Sequence, residues 1–323
     1  MSAGSRRYCL HFPMSSGGYR AVALGVVLAA VLAVGIGAAL FFASEDDPEL
    51  EMEDGDGLSV EDPLEWPETS TVGRSVEGRD IELYLFTPER WSDGDPYVLL
   101  VGGIHGGYEW NSVLLAYRMI DHFARYPDEM PERVRVGVIP SLNPDGVVAV
   151  VGVSGRFNPD EVQLPDDTSV GRFNARGVDL NRNFDCKWQP QSTWRGEVID
   201  AGSEPFSEPE AQALRDVVLQ GGPDAVVFWH SQAGAVYGSE CHEGVLPITR
   251  TVLNAYAEAS GYPAVLTFDH YEITGDAEGW LATMGIAGIT VEFTRHEDME
   301  WERNLLGTLS VLERLGSPVS GDR

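Results

Sequence analysis

The chain has 323 residues, 43% of them hydrophobic, and a formal net charge of -29. Such a length suits one sizeable domain with attachments. The acid surplus argues against nucleic acid as a partner, because phosphate binding needs basic patches.

In chain order, residues 1–20 hold Arg6, Arg7 and Arg20 and no acid. The run AVALGVVLAAVLAVGIGAALFFA at 21–43 follows, uncharged and almost wholly apolar. At ~1.5 Å per helical residue it is long enough to cross a ~30 Å hydrocarbon core. Arginines before it and acids after it place residues 1–20 in the cytoplasm and the rest outside. The expected partner of this helix is therefore the membrane; the alternative is a cleaved signal peptide and a secreted protein. Residues 44–68 contain acids and prolines but no base and read as a disordered linker. A globular domain is expected over 69–316, with a short disordered tail at 317–323.

Within the domain, apolar runs at 81–87, 97–101, 134–139, 225–229 and 286–293 predict strands, several of them buried on both faces. Helical periodicity falls between them at 110–123, 208–220, 246–260 and 299–315. Ser207-Glu-Pro-Glu210 reads as a capping box with Ser207 as N-cap. This alternation predicts an α/β fold, a mixed and largely parallel sheet sandwiched by helices. Ligands of such sheets sit beyond the C-terminal ends of the strands.

Three of those ends carry chemistry. His105 follows the 97–101 strand within VGGIHGGYEW, His230 follows AVVFW, and Glu292 closes GITVEF. Two histidines and a glutamate form one of the ligand sets of a catalytic zinc, and His105, Glu109 and His230 would supply it. Hydrolysis of an amide also needs a base and a cation for the developing oxyanion. Glu292 is the candidate base, since a carboxylate inside a strand is costly to bury without a partner. The cation comes from GRFNARGVDLNRNF, where Arg172, Arg176 and Arg182 remain open alternatives.

The residues in this order resemble the zinc carboxypeptidases of the pancreatic type. The likeness runs from VGRSVEGRDI at 72–81 through GIHGGYEW, SLNPDG, GRFNARGVDLNRNF, WHS and YEITGDAEGW to TVEF at 290–293. It implies one Zn2+ per chain held by His105, Glu109 and His230, with Arg172 polarising the scissile carbonyl and Glu292 as base. It also implies that Asn181 and Arg182 grip a substrate's terminal carboxylate and that Tyr271 closes over the bound end. Glu278 falls where the family carries its pocket-floor specificity residue. An acid there suits a basic terminal side chain or the spare amine of diaminopimelate; the alternative is a solvated acid. The expected substrates are peptides with a free C-terminal carboxylate. Cell-wall peptides, or a catalytically silent binding module, are the other readings.

Two departures are visible. The family spaces its first histidine and glutamate three apart, whereas His105 and Glu109 are four apart. The stretch from Tyr271 to Glu292 is also about one residue short. Cys186 and Cys241 follow LNRNFD and WHSQ, so both lie near the same sheet edge on the exported side, and a disulfide between them is expected. His11, His122, His242, His270 and His296 carry no motif and read as structural or solvated.

Overall fold

The computed structural model describes residues 66–161, 163–268 and 272–317. The apolar run at 21–43 and most of the linker lie outside them. Among the described residues, no helix is long and apolar enough to cross a membrane.

In chain order the strands are β1 (Glu68–Arg74), β2 (Asp80–Phe86), β3 (Tyr97–Val101), β4 (Arg135–Ile139), β5 (Gln191–Trp194), β6 (Glu197–Asp200), β7 (Ala225–Ser231), β8 (Val236–Gly238), β9 (Ala264–Val265) and β10 (Ala287–Phe293). The α-helices are α1 (Trp110–Arg125), α2 (Pro144–Val151), α3 (Pro209–Gly221), α4 (Pro247–Ser260), α5 (Ala277–Thr283) and α6 (Trp301–Gly316). Eight strands form one sheet in the order β1-β2-β4-β3-β7-β10-β8-β9, and β5 and β6 form a separate hairpin. The neighbours β4, β3, β7 and β10 run parallel, whereas β1, β2 and β8 join antiparallel.

Every residue of β3 and β7 is buried, as expected for strands covered on both faces. Side chains alternate between two cores. Val98, Leu100, Val136, Val138, Val227 and Trp229 meet α1, α4 and α6. Leu99, Val101, Val226 and Phe228 meet α3 and α5. Each such side chain contributes ~1.5–3 kcal/mol through burial.

The capping-box reading of 207–210 is corrected. Glu208 is the N-cap residue of α3 and Pro209 opens the helix. Proline suits that first position because its missing N–H would be unsatisfied there anyway. The Ser207 hydroxyl instead donates to Glu208 and accepts from Asn183 Nδ2 at 2.9 Å. The β1 strand begins at Glu68, one residue inside the stretch read as linker.

The chain runs from β3 outward to β4, then returns to lay β7 against the other side of β3 and continues to β10. That reversal opens a crevice at the C-terminal ends of β3 and β7, the place where open α/β sheets bind ligands.

Candidate active site

Both sides of the crevice contribute. His105 lies just beyond β3, His230 lies in β7, and Glu292 in β10 pairs in register with His230. His105, Glu109 and His230 are all buried, and one ligand atom of each lies within 4.8 Å of the others. Glu109 Oε2 approaches His230 Nδ1 at 3.0 Å.

The four-residue step from His105 to Glu109 is absorbed by a 3-10 turn, Gly106–Glu109, not by a shared face of an α-helix; α1 starts only at Trp110. The turn needs Gly106 at φ 45, a left-handed conformation that glycine adopts without a Cβ clash. A Cβ there would also lie 2.6 Å from the Gly171 carbonyl and 2.9 Å from Gly146 backbone. Backbone thus touches backbone between the ligand turn, the start of α2 and the segment that carries Arg172.

Asp179, which the motif reading passed over, ties the site together. One of its oxygens accepts from Arg172 Nε at 2.9 Å and pairs with Nη2 at 2.8 Å. The other lies 3.5 Å from His105 Nδ1 and accepts the Asn181 N–H at 3.1 Å. Asp179 therefore fixes the Arg172 guanidinium by a two-pronged contact and faces a candidate ligand with its second oxygen. The open choice among three arginines is narrowed by the fold. Arg176 is half exposed, pairs with Glu208 at 3.3 Å and stands apart from the cluster. Asn181 is buried and accepts the Ala277 N–H at 2.9 Å, which binds it to the start of α5. Arg182 is buried, forms no ion pair among the described residues, and keeps its Nε without a hydrogen-bond partner.

Burial, with the charge of Glu109 beside it, pushes the Glu292 carboxyl up to about 7. Its Oε2 accepts the Ala233 N–H at 3.1 Å. Burial and the nearby Arg172 hold His105 well below its usual pKa, so it is neutral, the form that coordinates a metal. Glu278 is no solvated acid, being only 3% exposed on α5. It accepts the Thr290 hydroxyl at 2.7 Å and lies 3.5 Å from His230 Nε2. His230 therefore faces Glu109 with one nitrogen and Glu278 with the other.

His296, which the sequence reading left as structural or solvated, stands at the mouth. Its ring meets Tyr108 at 4.7 Å, its Nδ1 bonds the Ser231 hydroxyl at 2.7 Å, and its Nε2 is buried without a partner. Cys186 and Cys241 form the expected disulfide, with Cα atoms 5.9 Å apart. Its Cys186 sulfur sits where a Cβ on Gly279 of α5 would reach it at 2.8 Å, so the bridge backs the wall that carries Glu278. Tyr271 lies outside the described residues.

The sequence profile described as zinc carboxypeptidase matches residues 65–299, most of the chain. This protein belongs to the zinc carboxypeptidase family. That membership makes it a zinc-dependent hydrolase. Carboxypeptidase B of Astacus astacus is 29% identical over 172 residues, 51% of this chain and 53% of that protein. Murein peptide amidase A of Escherichia coli (strain K12) is 32% identical over 143 residues, 40% of this chain and 54% of that protein. These alignments span about half the length of either relative. Among solved structures, murein-tripeptide amidase MpaA from Escherichia coli O157 is similar with a TM-score of 0.54 at 26% identity, over 77% of this chain and 92% of that one. Carboxypeptidase A from Helicoverpa armigera gives a TM-score of 0.59 at 18% identity, over 76% and 69%, and shows the fold alone.

The residues present fit the zinc that this family uses. Two imidazoles and a carboxylate form a known catalytic donor set, which leaves a fourth position for water or substrate. Each of the three residues keeps a buried polar atom that forms no well-aligned hydrogen bond, and Glu109 Oε2 meets only the imidazole of His230, its fellow in the set. Atoms in that condition cost free energy unless a ligand satisfies them.

Proposed function

We propose that this zinc carboxypeptidase removes the C-terminal residue of peptides by attack of water on the last amide bond. The observation that carries the reading is the register pairing of Glu292 with His230, which sets a carboxylate of raised pKa beside the buried His105–Glu109–His230 set. When bound, zinc supplies a Lewis acid that makes water a nucleophile at neutral pH and polarises a carbonyl. Glu292 takes the proton of the attacking water and later delivers it to the leaving amine. Arg172, held by Asp179, donates to the carbonyl oxygen as negative charge develops there. Asn181 and Arg182 grip the free carboxylate, for which the unpartnered Arg182 Nε is a ready donor. Tyr271 is assigned to close over this end.

A cell-wall peptide is the second reading, favoured by the buried Glu278 and the likeness to murein-tripeptide amidase. Glu278 would face a basic terminal side chain or the spare amine of diaminopimelate. The apolar run at 21–43 and the Cys186–Cys241 bridge support an extracytoplasmic site of action, anchored or secreted. The test is a release panel. Matched peptides ending in arginine or leucine and a purified murein tripeptide are incubated with the protein before chelation, after it, and after zinc is restored. Release that stops with chelation and returns with zinc is expected. Its order across the panel identifies the substrate class, and a leucine preference removes Glu278 from the pocket floor. Release from none of them, or release indifferent to chelator, would overturn the reading.

A further inference from the structure

The β5–β6 hairpin, which no motif covers, delivers a second cation to the mouth of the site. Its loop is Arg195-Gly196, with φ 52 and 83. Two successive positive φ values mark the tight hairpin turn that asparagine and glycine normally fill, so an arginine at the first position is held in a disfavoured conformation. Its exposed side chain reaches back to the site. Arg195 Nη2 donates to the Tyr108 hydroxyl at 3.1 Å, and its guanidinium lies 4.9 Å from the Trp194 ring. Arg172 lies 4.7 Å from that same indole. Two guanidinium groups thus share one aromatic ring. Asp179 neutralises Arg172, whereas Arg195 forms no ion pair among the described residues, in a chain of net charge -29. Arg195 is thus a cation at the edge of the site that no carboxylate within ion-pair distance answers among the described residues.

The neighbourhood is otherwise prepared. Tyr108, next in sequence to Glu109, packs on Trp194 at 5.2 Å and on His296 at 4.7 Å. The His296 ring, packed against Tyr108, keeps its Nε2 buried and without a partner. Its loop is pinned by Asn111, which donates to the Arg295 and Asp298 carbonyls at 2.8 and 2.9 Å. His230 faces Glu109 with Nδ1 and Glu278 on α5 with Nε2. The carboxylate grip of Asn181 is tied to α5. A substrate gripped there with its scissile carbonyl at Arg172 would extend its upstream residue toward Tyr108 and Trp194, whose rings lie 5.8 and 4.7 Å from the Arg172 guanidinium.

From this we propose that Arg195, with Trp194, Tyr108 and His296, forms an anion-binding subsite for a carboxylate on the residue just upstream of the scissile bond. The inference rests on the carboxypeptidase reading above. The carboxylate can come from the side chain of an α-linked acidic residue or from the free α-carboxyl of a γ-linked glutamyl residue.

Two substrate pairs separate these sources, each ending in the residue that the enzyme releases best. One compares an upstream glutamyl with a glutaminyl residue, the other a γ-linked glutamyl residue with its α-amide. The zinc-loaded full chain should favour the charged member of at least one pair by about tenfold in kcat/KM, the order of one charge-assisted hydrogen bond. The pair that shows it names the source. Arg195→Gln should erase the preference by slowing the charged substrate alone, with zinc content unchanged, and Arg195→Lys should keep part of it. Equal turnover of both members of both pairs by the wild type overturns the subsite and leaves the carboxypeptidase reading standing. So does a loss in Arg195→Gln that falls equally on charged and neutral substrates. No release from any substrate sinks the underlying reading, and this proposal with it.

Discussion

Two of the buried polar clusters in this domain are built on opposite rules. In the first, Asp145 at the start of α2 accepts from the Ser75 hydroxyl at 2.6 Å, the Glu77 N–H at 3.0 Å and Arg79 Nη1 at 2.6 Å. Beside it, Glu210 accepts from the Val76 N–H at 3.0 Å and Asn174 Nδ2 at 3.2 Å. These contacts stitch the β1–β2 turn to α2 and α3 and leave both carboxylates well partnered. In the second, at the ends of β3, β7 and β10, His105, His230, Arg182 and His296 each keep a buried atom without a hydrogen-bond partner, and Glu109 Oε2 meets only His230. Burial costs the same desolvation in both places. Where every group is answered from within the chain, the cluster serves architecture; where several are not, the answer is left to a ligand.

The largest test of that contrast is Glu292→Gln. Removing a general base typically slows a reaction by ~10²–10⁴-fold, so kcat should fall on that scale while zinc content holds. The same change should raise the melting temperature of the metal-free protein above pH 7. A carboxyl with a usual pKa of 4.5 that is pushed to about 7 binds its proton more tightly in the folded state. Folded stability therefore falls as pH rises through that window, and the amide escapes the loss. For the same reason kcat/KM of the wild type should fall as pH drops below the pKa of this base. A Glu292→Gln protein with near-normal turnover would erase the distinction between the clusters.

Next in size is Asp145→Ala, which should cost about 2–3 kcal/mol of stability because it strands the partners it satisfied. Activity per folded molecule should be preserved; denaturant titration and zinc-loaded assays check the two halves. A large loss of kcat in fully folded protein would mean that the architectural cluster also serves the chemistry. The smallest effect is expected of Asp179→Asn, which keeps shape but weakens the hold on Arg172 and His105. Zinc affinity, read by competition with a chelator, should drop ~10–100-fold, the usual penalty for losing a carboxylate behind a metal ligand.

The contrast also explains what was legible in the sequence. β3, β7 and β10 announce themselves as continuous apolar runs because both their faces are buried, and His105, His230 and Glu292 were readable as interruptions at their ends. β1 was not, because ETSTVGR is mostly exposed at the sheet edge and carries little apolar signal. α2 was missed although Asn143 caps it, accepting from the Gly146 N–H, and Pro144 opens it; its valines read equally well as a strand. The role of Asp179 depends on contacts across turns of the chain, so no local pattern marks it. Arg172 and Arg176 look alike in GRFNARG, and only the fold shows that one meets Asp179 inside and the other Glu208 near the surface. The pairing of Cys186 with Cys241 was readable because each follows a segment already assigned to one sheet edge.

The glycines packed around the ligand turn have a consequence for how this enzyme can change. A Cβ on Gly146 would lie 2.3 Å from the Gly171 carbonyl, and one on Gly171 would lie 2.8 Å from the Gly146 carbonyl and from the Tyr108 nitrogen. With no side chains interposed, the loop of His105 and Glu109 and the segment leading to Arg172 lie backbone against backbone. Variation that retunes selectivity must then enter through the surrounding hairpin and α5. An added methyl group at the junction would force backbone to shift, so alanine at Gly146 or Gly171 should lower stability.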